Sequence, residues 1–118
     1  MPSRKPWLRF ADIAENVENV LSYMHGMTLE QFLADQKTID ATERCVLRIS
    51  EAAVKLDGFA EEMLPQHDWG AVRRIGNVLR HDYDRISRKM IYDTVNGHFE
   101  RLLADVKALL AAHDEAEK

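Results

Sequence analysis

Between Trp69 and Tyr83 the chain reads WGAVRRIGNVLRHDY. In a helix each residue turns by about 100°, so Arg74 and His81, seven apart, return to one direction and Asn77 falls on the same stripe. The three residue types are chemically complementary. An arginine presents a planar, permanently charged fork that fits phosphate oxygens. A histidine moves a proton near neutral pH. An asparagine can hold a 2′-hydroxyl, a phosphate oxygen or the imidazole ring. Together they are the parts for metal-free RNA cleavage, in which a base takes the 2′-hydroxyl proton, the oxygen attacks the adjacent phosphorus, and a cation stabilises the developing charge. Arg80 and Tyr83 add a phosphate contact and a proton donor or orienter to this set.

The charge distribution points the same way. Residues 73–89 hold six of the sixteen Lys and Arg and two of the twenty acids, a local charge of +4, while the remainder sums to −8. A positive patch on an acidic body can meet a phosphate or a short strand, although the net charge of −4 argues against a protein coated in nucleic acid. A salt-bridged helix face explains the same charges, with Asp82 and Asp84 pairing with Arg80 and with Arg85 or Arg88.

Other chemistries have less support. His25, His67, His98 and His113 form no pair at a three- or four-residue step, so neither a metal site nor a cofactor is expected. There is no glycine-rich phosphate loop and no Gly-x-Ser-x-Gly. The single cysteine, Cys45, permits no internal disulfide, fits a reducing cytoplasm, and is read as a packing residue. The basic first residues lead into no long apolar run, so neither a signal peptide nor a membrane span is expected.

The elements that must position the stripe are helical. No run alternates long enough for a strand, and 118 residues suit one domain, here 1–118 with frayed ends at about 1–5 and 113–118. The pattern predicts a first helix from Pro6 or Trp7 to Gly26, with Phe10, Ile13, Val17, Val20, Leu21 and Met24 on one face. Thr28 and Gln31 predict a capping box and a short helix. A longer helix runs from about Asp40 to Leu56 and breaks at Gly58, and residues 59–68 form a connector with one helical turn ended by Pro65. Asp68 caps a helix from Trp69, the core anchor, to about Tyr83. A looser stretch at 84–87, a short helix from Arg88 to Val95, a break at Asn96-Gly97 and a last helix from about His98 to Ala112 complete the chain. Four amphipathic stripes imply an all-α, antiparallel four- to five-helix bundle.

These residues also resemble a known family. Arg74, six residues, His81, Asp82 and Tyr83 fit the longest spacing of the HEPN superfamily motif, and the similarity is closest to its HepT-like branch. RISEAAVKL at 48–56 resembles the family's IGEA helix, and residues 68–87 resemble its segment of Trp, Arg-Asn and His-Asp-Tyr. The resemblance implies a HEPN-like bundle that forms a homodimer with the two motifs facing each other. It implies a metal-independent endoribonuclease, the toxin of a toxin–antitoxin pair. By the same likeness Arg74 and His81 are the catalytic pair. The residue chemistry sets Asn77 beside them, with Arg73, Arg80 and Arg85 as expected phosphate or RNA contacts. Tyr83 becomes the residue that a minimal nucleotidyltransferase partner modifies with AMP to silence the toxin.

One departure stands out. The commonest family form has Arg directly followed by Asn, five residues before the His, whereas here Gly76 precedes Asn77. The working cation therefore stays open between Arg73, Arg74 and Arg80. The alternative to an enzyme is a non-catalytic HEPN-like module that docks a nucleotidyltransferase.

Overall fold

The structure, a computed structural model, describes residues 5–81 and 85–118, with the side chains of 85 and 86 outside the description. All described regular structure is helical. The elements are α1 (Pro6–Tyr23), α2 (Leu29–Leu33), α3 (Gln36–Leu56), α4 (Gly58–Met63), α5 (Trp69–His81), α6 (Arg85–Thr94), a π-helical turn (Val95–Phe99) and α7 (Glu100–Ala116).

Local signals set most boundaries. Pro6 occupies the first turn of α1, where its missing N–H costs nothing. The Thr28 hydroxyl accepts from the Gln31 N–H, and the Gln31 side chain accepts from the Thr28 N–H, so both start donors of α2 are satisfied. Asp68 caps α5 by accepting from the Ala71 N–H at 3.0 Å.

Four expectations change. Helix α3 begins at Gln36 rather than Asp40, because the Asp35 carboxylate accepts from the Thr38 N–H and caps it there. The break after α3 falls on Asp57, which carries φ 52°, and Gly58 already opens α4. Asn96-Gly97 does not break the chain. The Asn96 amide donates to the Tyr92 carbonyl one turn back, and the π turn carries the helix through into α7. Residues 85–87 are helical rather than loose.

Helix α1 packs chiefly on α3 and α7, and α3 on α5. Phe10, Ile13, Val17 and Val20 meet Ile39, Val46, Ile49, Ala53 and Leu56 in the centre, with Trp69, Ile91 and Val106 closing the core. Burying such side chains contributes roughly 1.5–3 kcal/mol each. Cys45 is buried among them, which pushes its thiol pKa up, as suits a packing residue. Trp69 is 1 % exposed and donates its indole N–H to the Leu64 carbonyl at 2.8 Å, so it anchors the start of α5. Helix α7 extends to Ala116, and His113 stacks on Trp7 with ring centroids 3.7 Å apart. No described helix is long and apolar enough to cross a membrane.

Candidate active site

Helix α5 forms over the whole stretch from Trp69 to His81, so Arg74, Asn77 and His81 do share one stripe, and all three are exposed. Its opposite side is buried through Trp69, Ile75, Gly76 and Leu79, while Val72 and Val78 are half-buried. Tyr83 lies outside the described residues, as does the side chain of Arg85.

The helix is held against α3 by a close crossing. A methyl placed on Gly76 would lie 2.3 Å from the Ser50 hydroxyl oxygen and 2.8 Å from the Ser50 Cβ. Only glycine fits there while residue 50 carries a side chain. The Ser50 hydroxyl also donates to the Arg73 carbonyl at 2.9 Å. This contact gives a physical reason for the departure from the family pattern. With Ser50 in place of the glycine of IGEA, an arginine at position 76 would have to push α3 and α5 apart.

The three candidate cations have different surroundings. Arg73 is clamped to the protein itself. Its guanidinium donates to both Glu61 oxygens at 2.6 and 2.9 Å, to the Asp57 carbonyl at 2.7 Å and to the Ala53 carbonyl at 3.1 Å. That clamp adds a second donor to the Ala53 and Asp57 carbonyls around the end of α3 and supports the unusual backbone at Asp57. The hydrogen bonds from Arg73 hold the Glu61 carboxyl below the usual carboxylate range, and Glu61 in turn raises Arg73 above its ordinary value. Arg74 folds back toward the start of α5, its Nη1 only 3.2 Å from where a methyl on Gly70 would sit. Arg80 folds back over Gly76, its Nη1 3.9 Å from the corresponding point there, and meets Glu51 of α3 at 3.4 Å. Neither Glu51 nor Ser50 carries a signal of its own in the sequence. A glycine inside a strongly patterned helix was the available signal for the close approach.

A groove of about 580 Å³ runs along the other flank of α5, against the π turn and α7. Val72, Val78, Met90 and Phe99 give it an apolar wall, with Arg74, His98 and Arg101 at its edge. At one end His67 donates to Asp105 at 2.7 Å, joined by Gln66, and these bonds hold the Asp105 carboxyl below its usual range. His67 is therefore a satisfied histidine. A separate polar cleft of about 310 Å³ between α1 and α3 sets Arg9, Arg48 and Lys55 against Asp12, Glu15 and Glu51, so its charges balance within it. Among the described residues no three His, Cys, Asp or Glu gather as a metal cage.

The fold is an all-helical bundle whose helix α5 presents the imidazole of His81, the amide of Asn77 and the guanidinium of Arg74 to solvent. A family model described as Ribonuclease HepT-like matches residues 13–109, which includes all of α3 and α5. The chain belongs to the HepT-like ribonuclease family, and its enzyme class is that of an endoribonuclease. It is 32 % identical over 95 residues to "Putative RNase MJ0127" of Methanocaldococcus jannaschii, covering 80 % of this chain and 78 % of that one. It is 29 % identical over 107 residues to "Probable ribonuclease HepT" of Thermococcus cleftensis, covering 85 % and 96 %. No solved structure matches it comparably.

Proposed function

We infer that the protein cleaves RNA without a metal, as the toxin of a toxin–antitoxin pair that a minimal nucleotidyltransferase silences by transferring AMP to Tyr83. The observation that carries the catalytic part is the exposure of Arg74, Asn77 and His81 on one unbroken helix. The imidazole of His81 takes the 2′-hydroxyl proton. The 2′-oxygen forms a bond to phosphorus, the bond from phosphorus to the 5′-oxygen breaks, and the leaving oxygen receives a proton. The products are a 2′,3′-cyclic phosphate and a free 5′-hydroxyl, so the step needs no co-reactant. Asn77 orients the ring or the hydroxyl, and a guanidinium neutralises the charge on the non-bridging oxygens.

One helix supplies one imidazole, whereas the reaction uses both a base and an acid. A homodimer supplies the second. The apolar groove beside Arg74 supports this reading, because a second copy seated on it would cover Val72, Val78 and Met90 and bring two motifs together. The silencing partner rests on family membership and on the His-Asp-Tyr run.

The test is direct. Purified protein incubated with RNA in EDTA should leave cyclic-phosphate and 5′-hydroxyl ends. Co-expression with the nucleotidyltransferase should add the mass of AMP to the peptide containing Tyr83 and stop cleavage. Activity that vanishes in EDTA and returns with a divalent cation would replace this reading with a metal nuclease. Cleavage that persists beside an unmodified Tyr83 would remove the silencing part alone.

A further inference from the structure

We propose that Arg80, held back over Gly76 by Glu51, is the cation that stabilises the transition state, and that Arg74 acts in substrate binding. The inference deepens the ribonuclease reading and rests on it.

Side chains on a helix lean toward its N-terminus, so the charge of an arginine acts about one turn before its own Cα. Arg74 follows that rule and places its guanidinium beside Gly70. Gly70 and His81 are eleven residues apart, which is about 16 Å along a helix. Arg80 places its guanidinium beside Gly76, five residues or about 7 Å from the level of His81. Asn77, next to Gly76, lies between the lines of Arg80 and His81 on the helix surface. A phosphate bound near Asn77 would have the imidazole on one side and, on the other, Arg80, whose guanidinium would swing to it from its place over Gly76.

The other two arginines are worse placed. Arg73 is occupied by Glu61 and by two backbone carbonyls. Arg74 borders the apolar groove, where it can hold a flanking phosphate.

Glu51 explains why Arg80 sits there. Ser50 and Gly76 bring α3 and α5 together, so the neighbouring Glu51 is carried to the Arg80 side of the crossing. The pair is exposed on both sides, 48 % and 55 %, and its separation is a loose 3.4 Å. Such a pair biases a side chain without locking it. An arriving phosphate can therefore draw the guanidinium away from Glu51.

The experiment compares four variants of the full chain on a short unstructured RNA in EDTA, with thermal unfolding run in parallel. Arg80→Ala should lower kcat by about 100-fold, the scale of one lost transition-state donor. KM should change little, and added guanidinium at non-denaturing concentration should restore part of the rate. Arg74→Ala should raise KM while lowering kcat by less than about tenfold, with no guanidinium rescue of kcat. Glu51→Gln should lower kcat about threefold, whereas mere removal of a negative charge would tighten RNA binding and leave kcat undiminished. His81→Ala fixes the floor. Arg80→Ala at the wild-type kcat, or a larger and guanidinium-rescued kcat loss in Arg74→Ala, would overturn the assignment while leaving the ribonuclease reading intact. Glu51→Gln with tighter binding and an undiminished kcat would remove the role of Glu51. Wild-type protein that fails to cleave refutes the ribonuclease reading itself, and cleavage no better than that of His81→Ala removes His81, and with it the site in which Arg80 is placed.

Discussion

The contact between Ser50 and Gly76 gives a prediction whose size can be worked out. Gly76→Ala in a free helix would gain about 1 kcal/mol of helix propensity. Here the new methyl would stand 2.8 Å from the Ser50 Cβ. Carbon atoms settle at roughly 3.5–4.0 Å, so the helices must separate by about 1 Å. Rotating the Ser50 hydroxyl relieves the 2.3 Å clash with its oxygen but not the one with Cβ. Overpacking of this kind costs about 1–3 kcal/mol, and the lost Ser50–Arg73 hydrogen bond adds about 1 kcal/mol. The net expectation is a destabilisation of about 2 kcal/mol, or a fall in Tm of about 8 °C. Ser50→Gly alone should also destabilise, by about 2 kcal/mol, through the lost hydrogen bond and the added helix flexibility. Combined, the two changes should cost only about 1 kcal/mol, because the methyl then fills the space that the serine leaves. Urea or thermal unfolding of all four proteins gives the coupling energy. Two side chains that do not touch add within about 0.5 kcal/mol. Additive losses would refute the close crossing, and with it the positioning of Glu51 opposite Arg80.

Other expectations follow from the same geometry. Arg73→Ala should destabilise the protein by about 2 kcal/mol in chemical denaturation, since it removes charged hydrogen bonds from the end of α3; a value within error of wild type would show that the clamp contributes nothing. Asp57→Gly should raise Tm by a few degrees, because the φ of 52° there is natural for glycine and strained for aspartate. The depressed carboxyl of Asp105 stabilises the fold above the ordinary carboxylate pKa, and that contribution is lost as pH falls through its folded value. Asp105→Asn should therefore flatten the Tm profile between about pH 5 and 2 relative to wild type, and parallel profiles would sink the His67–Asp105 contact.

What the sequence revealed was local. The capping box at Thr28 and Gln31, the Asp68 cap and the Trp69 anchor each depend on residues within a few positions, and the structure has them. The exposed stripe on α5 followed from helical periodicity alone. Misplaced boundaries had equally local causes. Asp35 lay too far ahead of the apolar pattern to be read as the cap of α3, and the turn signal of Asn96-Gly97 yielded to a side-chain bond to Tyr92 and a π turn. The contacts that rank the arginines were not legible. Arg73 reaches Glu61 across 12 residues, Ser50 reaches Arg73 across 23, and Glu51 reaches Arg80 across 29. Nothing in the run of residues 73–80 separates three similar guanidinium groups until α3 is placed beside them.

The central claim is that an exposed imidazole on α5 performs the proton transfer. Single-turnover cleavage of a short RNA in EDTA by wild type and by His81→Ala tests it most directly, with circular dichroism confirming the same fold. Loss of a general base predicts a rate lowered by about 10²–10⁴-fold. Equal rates in the two proteins would contradict the account.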